Sequence, residues 1–104
     1  MSIRHQLEHV QLSNVMEVVV AEKLSAHIGA FNMTCTCDRC LSDVLALALN
    51  ELPAKYIVND ALEPVVRAAH EADQDEATKV LAVLSYATKK VSDAPRCTEN
   101  TKNR

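Results

Sequence analysis

The alternation of apolar and polar residues predicts a chain built from helices. A helix is predicted over 38–51, because apolar side chains from 41 to 52 recur at steps of three and four, as in a helix that buries one face. They are Leu41, Val44, Leu45, Ala48, Leu49 and Leu52. Pro53 follows and ends this helix. The same spacing predicts another long helix over 74–91, with a seam formed by Ala77, Val80, Leu81, Leu84, Ala87 and Val91.

The stretch 13–30 predicts a helix with an unusually wide apolar arc. Ser13 is a suitable N-cap, and Gly29, the only glycine, is placed where a C-cap is expected. The apolar positions are Val15, Met16, Val18, Val19, Val20, Leu24 and Ile28. A small monomer has difficulty covering so wide an arc, so we expect a second copy of the chain to cover part of it. The β-branched run 18–20 also permits a strand, and this alternative stays open.

Shorter elements complete the prediction. Pro64 suits the first turn of a helix that ends near Ala72, and Asp73 with Glu76 resembles a capping box for the last long helix. Residues 54–59 form a connector that is extended around 56–58.

The ends of the chain are predicted to lie outside the domain. Residues 1–12 are an N-terminal extension, in which Leu7, Val10 and Leu12 either lengthen the first helix or form a separate turn. Residues 98–104 are polar and predicted to be disordered. Residues 13–97 are therefore one all-α domain of about four helices, dimerising through helices.

Composition and charge exclude several classes of function. The chain has 104 residues, 48% of them apolar, which suits one small folded domain. The net charge is −3 without a basic run, which argues against broad nucleic-acid binding. No apolar stretch reaches about 18 residues and no signal-peptide pattern opens the chain, so we expect a cytoplasmic protein.

The cysteines carry the strongest chemical signal. Cys35, Cys37 and Cys40 lie within six residues, and Cys97 follows the last helix. In a reducing compartment, clustered cysteines are more often metal ligands than disulfides. We interpret the four as one tetrahedral zinc site that joins the C-terminal segment to the start of a helix. An iron–sulfur cluster and a redox-active thiol pair are the alternatives.

No catalytic pattern accompanies this site. Zinc held by four thiolates has no open position for water, and a single glycine excludes a glycine-rich phosphate loop. We interpret the four histidines as core or surface residues rather than as ligands. The sequence predicts a protein that is not an enzyme.

Three segments together resemble the late competence development protein ComFB family. They are the run 14–20, the pattern Cys35-x-Cys37-x-x-Cys40, and the run 43–53 followed by Tyr56. The resemblance implies a small helical homodimer with bound zinc, whose ligands are Cys35, Cys37, Cys40 and Cys97. It also implies a regulatory role, since cyanobacterial relatives are associated with cyclic di-GMP or cyclic di-AMP binding and with natural competence or cell-size control.

A cyclic dinucleotide would need cations for two phosphates and flat or apolar partners for its bases. Arg39, at the start of a helix, is the first candidate. Lys55, Tyr56 and Asn50 follow. We therefore expect a receptor for a cyclic dinucleotide that acts through a protein partner. The alternative is an interaction adaptor whose zinc is purely structural, and a thiol redox enzyme is a third hypothesis.

Overall fold

Five α-helices and one short antiparallel pair of strands make up the described part of the chain. The computed structural model describes residues 3–7, 11–58 and 60–97. The α-helices are α1 (Ile3–Leu7), α2 (Val15–His27), α3 (Asp38–Glu51), α4 (Glu63–Ala72) and α5 (Gln74–Asp93). The strands are β1 (Ser13–Asn14) and β2 (Tyr56–Ile57), and short 3₁₀ helices span Ile28–Phe31 and Asp60–Leu62.

Within the described part of the chain, the most extensive contact between two helices is that between α3 and α5. The start of α3 lies beside the end of α5, so the two helices run antiparallel. α2 packs against α3, α4 and α5, and α4 packs against α2 and α5. The core between them consists of Val15, Met16, Val19, Val20, Leu24, Cys40, Val44, Ala48, Leu52, Val80, Leu84, Ala87, Val91 and Cys97.

The helix predictions for the second half of the chain are confirmed. α3 spans the predicted residues, and α4 begins with a proline in its first turn. Asp73 caps α5 by accepting hydrogen bonds from the backbone N–H groups of Asp75 and Glu76. α5 continues to Asp93, two residues past the predicted end. It ends at the turn of Ala94 and Pro95, and not where its apolar seam ends at Val91.

Both predicted ends of the first long helix are wrong. The N-cap is Asn14, not Ser13, and Ser13 pairs with Ile57 in the strand ladder. Gly29 lies inside a 3₁₀ helix without a positive φ, and the left-handed residue is Asn32, with φ 52°. Asparagine tolerates that conformation, so the chain can reverse there without a glycine.

The strand alternative for residues 18–20 is wrong, because this run is helical. The wide apolar arc of α2 is covered by the other helices of the same chain: only Val18, 38% exposed, reaches the surface substantially. The reason we gave for a second copy therefore does not hold, and the dimer stays a prediction.

The extension and the tail are described only in part. Leu7 and Leu12 are exposed and do not join the core. Val10, Asn59 and the predicted disordered segment 98–104 lie outside the described residues. Within the described ranges, no helix is long and apolar enough to cross a bilayer.

Candidate metal centre

Two helix ends position the four cysteines. Cys35 lies in the loop before α3, Cys37 is the N-cap residue of α3, and Cys40 belongs to its first turn. The first turn closes when the backbone N–H of Leu41 donates to the carbonyl oxygen of Cys37 at 2.9 Å. Cys97 lies four residues after the end of α5. The packing of α3 on α5 thus brings the remote cysteine to the other three.

A second contact holds the cysteine loop against α5. The backbone N–H of Thr34 donates to Ser92 Oγ, and Thr34 Oγ1 donates to the carbonyl oxygen of Ser92, both at 3.3 Å. Thr34 directly precedes Cys35, and Ser92 lies five residues before Cys97. The two bonds pre-organise the loop and the last turn of α5 without the help of an ion.

The sulfur atoms form a compact cluster. All four Sγ atoms lie within 4.8 Å of one another. Sγ of Cys97 lies 3.5 Å from that of Cys40 and 3.7 Å from that of Cys35. A disulfide requires about 2.05 Å, so neither pair is bonded. Four sulfurs at about 2.3 Å from one tetrahedral ion stand about 3.8 Å apart. The cluster therefore fits a single, closed metal-ion site.

The environment shifts the acidity of these thiols in different directions. Burial, followed by the neighbouring sulfur of Cys97, raises the pKa of Cys40. The backbone N–H of Cys40 favours the thiolate of Cys37 and lowers its pKa. The backbone N–H of Cys37 acts in the same way on Cys35, but the sulfur of Cys37 and burial outweigh it, so the pKa of Cys35 is raised. Without an ion, crowded thiols keep protons that a metal would displace.

Two of the predicted ligand-binding residues share one face of α3. Arg39 and Asn50 are eleven residues apart, close to three full helical turns. Arg39 Nε lies 3.4 Å from Asp43 Oδ1, one turn along the same face. Asp43 and Asn50 both line a groove between α3 and α5. The structure thus places these two predicted residues along one surface.

The other two predicted residues lie beyond the opposite end of α3. Lys55 precedes β2, its backbone N–H donates to Asn14 Oδ1 at 2.8 Å, and its carbonyl oxygen accepts from the N–H of Val15. Tyr56 is in β2 and is largely exposed. Twelve residues of α3 separate Arg39 from Glu51, which is about 18 Å. Within one chain, Arg39 and Tyr56 are not part of a single small site.

Sequence reasoning missed two features near these residues. Arg96 Nε lies 3.5 Å from Asp43 Oδ2, so one carboxylate pairs with two arginines. The spacing of Arg39 and Asp43 signals an (i, i+4) pair, but nothing local signals the contact with Arg96. His70 is buried, and neither ring nitrogen has a hydrogen-bond partner among the described residues. An unpaired core histidine carries no sequence signal.

Comparisons with known proteins agree with the fold and with the family resemblance of the sequence. The family model described as late competence development protein ComFB matches residues 13–95. Competence protein ComFB of Bacillus subtilis (strain 168) is 34% identical over 84 residues, which cover 81% of this chain and 85% of that protein. A solved structure of the late competence protein ComFB from Bacillus subtilis aligns with a TM-score of 0.77 and 31% identity, covering 83% of this chain and 93% of that one. The chain belongs to the ComFB family of late competence development proteins.

Proposed function

We propose that this protein is a non-catalytic, zinc-stabilised regulator that acts, as a homodimer, as a receptor for cyclic di-GMP or cyclic di-AMP in competence or related signalling. The observation that carries the proposal is the closed cluster of four sulfurs in a chain that belongs to a competence protein family. Such a cluster stabilises a fold and offers no position for a substrate or water.

Zinc is the metal that this donor set suits best. Four thiolates in a tetrahedron are typical of structural zinc, which has no redox chemistry and no other preferred geometry in such a site. An iron–sulfur cluster contains several irons, so its cysteine sulfurs stand further apart than those around one ion. The 4.8 Å limit on the sulfur separations favours a single ion.

A cyclic dinucleotide suits the cationic and polar residues of α3. Arg39 is 55% exposed and supplies a guanidinium to a phosphate, while Asn50 on the same face supplies an amide to a base edge. Lys55 and Tyr56 contact the same ligand if they come from the second protomer of the proposed dimer. A ligand with two-fold symmetry matches a two-fold dimer.

Isothermal titration calorimetry with both cyclic dinucleotides tests the receptor. The protein is prepared with stoichiometric zinc, and its oligomeric state is checked beforehand. We expect saturable binding of one of the two, with linear pGpG and AMP as controls that share their chemistry but lack the ring closure. Absence of heat with both cyclic ligands rejects the receptor.

The alternative is an interaction adaptor whose zinc is purely structural. Exposed apolar side chains flank the β1–β2 pair and the start of α4, and such residues favour contact with a protein surface. They are Leu12, Tyr56, Val58, Leu62 and Val65. A pull-down that recovers the same partner equally well with and without either nucleotide favours the adaptor over the receptor.

A further inference from the structure

A groove of about 380 Å³ lies between α3 and the C-terminal end of α5. Asp43 and Asn50 form its rim on α3, and Lys90 and Arg96 form the opposite rim. The volume falls in the lower part of the range that small-molecule sites occupy, about 300–1,000 Å³. The groove is therefore large enough for one nucleotide-sized group.

The rim is positively charged, although the protein as a whole is acidic. Among the lining residues, Lys90 and Arg96 contribute two positive charges and Asp43 one negative charge, a local balance of +1 against −3 for the chain, and Arg39 reaches the same Asp43 from beside the groove. Both arginines contact Asp43 through Nε and remain 55% and 67% exposed, so solvent reaches both guanidinium groups. A pair of arginines held side by side is suited to a phosphate.

The floor of the groove is apolar. Ala46 and Leu47 of α3 face Val91 and Ala94 across it, and these side chains suit a planar ring. The seven residues from Asp43 to Asn50 span about 10 Å along α3. The arrangement fits an elongated ligand with a phosphate at one end and a ring system at the other.

The metal centre fixes one of the two arginines. Arg96 directly precedes Cys97, and Asp43 lies one helical turn after Cys40. An ion bound to both cysteines therefore holds the segment that carries Arg96 against α3. Without the ion, the segment loses this attachment, and the exposed ion pair of Arg96 with Asp43 contributes little by itself.

We infer that the α3–α5 groove binds a phosphate-bearing ligand with a planar ring, that Arg39 and Arg96 hold its phosphate, and that the metal centre controls this binding through Cys97. The identification of that ligand as a cyclic dinucleotide rests on the proposed function. The inference that the groove binds a phosphate rests on its charged and apolar residues instead. Linkage requires the coupling to be reciprocal: the ligand tightens metal binding by the same factor by which the metal tightens ligand binding.

NMR titration of the zinc-loaded, ¹⁵N-labelled protein with pyrophosphate, cyclic di-GMP and cyclic di-AMP tests the groove. We expect shifts in the resonances of α3 and of residues 90–96 for pyrophosphate and for one of the dinucleotides. Arg96→Gln should weaken the affinity about tenfold to a hundredfold, the loss expected for a charge-assisted hydrogen bond. Lys89→Gln is the matched control, because Lys89 is exposed, pairs with Asp93 and does not line the groove.

The outcomes separate the groove from the receptor. If a dinucleotide binds Arg96→Gln as tightly as it binds the wild type, the inference that the ligand lies in the groove is wrong. The proposal that the protein is a cyclic dinucleotide receptor is then still supported. If pyrophosphate binds in the groove and needs Arg96, but neither dinucleotide binds, the groove is a phosphate site. The proposal of a cyclic dinucleotide receptor is then rejected. Absence of shifts in the groove with all three compounds overturns the inference.

Competition for zinc against a chromogenic chelator tests the coupling. Saturating cyclic di-GMP or cyclic di-AMP, whichever shifts the groove resonances, should raise the apparent zinc affinity of the wild type and of Lys89→Gln, and leave that of Arg96→Gln unchanged. This readout uses folded, metal-loaded protein, so it does not depend on whether the metal-free chain folds. If the zinc affinity of the wild type is the same with and without the saturating dinucleotide, ligand binding and metal binding are not coupled.

Discussion

Cys97 is the residue that closes the longest loop around the metal centre. Its Sγ meets that of Cys40 across a separation of 57 residues. A cross-link of that length restricts the unfolded chain by about 4 kcal/mol in the loop-entropy model. Cys97→Ser should therefore lose the stoichiometric metal and melt at least about 15 °C lower. Elemental analysis and circular dichroism measure the two effects.

Thr36→Ser is the control for this substitution, because Thr36 is exposed within the same cysteine loop. It should keep both the metal and the melting temperature of the wild type. A Cys97→Ser protein that retains one equivalent of zinc with unchanged melting would contradict a four-sulfur site.

Cys40 gives the metal-loaded and metal-free proteins opposite responses to pH. Burial raises its pKa above the ordinary value of 9.0 in the metal-free fold. A raised folded pKa adds stability below the unfolded pKa, and this stability is lost as the pH rises through the folded value. The pKa of Cys35 is also raised and acts in the same direction, whereas that of Cys37 is lowered and opposes it.

We therefore expect the metal-free protein to lose stability as the pH rises above about 9. The zinc-loaded protein should lose stability as the pH falls below neutrality, because protons then compete with the metal for the sulfurs. Urea unfolding from pH 6 to 10, with and without chelator, measures both trends. Parallel pH curves for the two forms would mean that the thiols do not exchange protons for metal.

His70 is 4% exposed and lies in α4, with Nε2 3.6 Å from Glu76 Oε2. A buried ring without hydrogen bonds carries a desolvation cost that an apolar side chain avoids. His70→Leu should therefore be neutral or raise the free energy of unfolding by up to about 1 kcal/mol. Chemical denaturation at pH 7 measures the change, with His27→Leu at an exposed position as the control. A large loss of stability would instead show that the contact between the His70 ring and Glu76 stabilises the fold.

At the scale of elements, Asn14 joins the start of α2 to β2. Its Oδ1 accepts from the backbone N–H of Met16 at 3.1 Å and from that of Lys55 at 2.8 Å. Asn14→Ala removes the helix cap and leaves a second donor unpaired, so it should lower the free energy of unfolding by about 1–2 kcal/mol. Asn14→Asp keeps the acceptor and should stay close to the wild type. Equal losses for the two variants would show that Oδ1 does not carry the effect.

The same element shows where local signals fail. Ser13 and Asn14 are both good N-cap residues, and the helix begins after the second because its side chain also accepts a hydrogen bond from Lys55, 41 residues away and directly before β2. The Asp73 cap was predictable because its partners lie two and three residues ahead. An N-cap can be predicted from the sequence when its hydrogen bonds are local. The prediction is displaced by a residue when a distant segment also bonds to one of the candidates.

At the scale of the whole molecule, the proposed dimer has candidate contact residues in the exposed apolar side chains around β1, β2 and α4. Val65 is 66% exposed at the start of α4. Val65→Lys should convert a dimer of 11.4 kDa chains into monomers. Light scattering coupled to size exclusion measures the mass.

Ala82→Lys is the matched control, since Ala82 is exposed on α5 and is not one of the residues of that surface. It should leave the dimer intact. A monomeric wild type at high protein concentration would reject the dimer, and dissociation caused only by Ala82→Lys would place the interface on α5.

The sequence alone determined the features whose physical causes lie within a few residues. The period of the apolar positions and the proline at 53 gave α3 its bounds, the Asp73 cap gave α5 its start, and the cysteine pattern identified all four candidate metal ligands. Only the tertiary structure decided what distant segments do together: the packing of α3 on α5 that brings Cys97 within 3.5 Å of Cys40, the pairing of Arg96 with Asp43, and the covering of α2 within one chain. These depend on how α3 and α5 pack, and packing arises from many weak contacts summed over the whole core, which no short pattern of residues records.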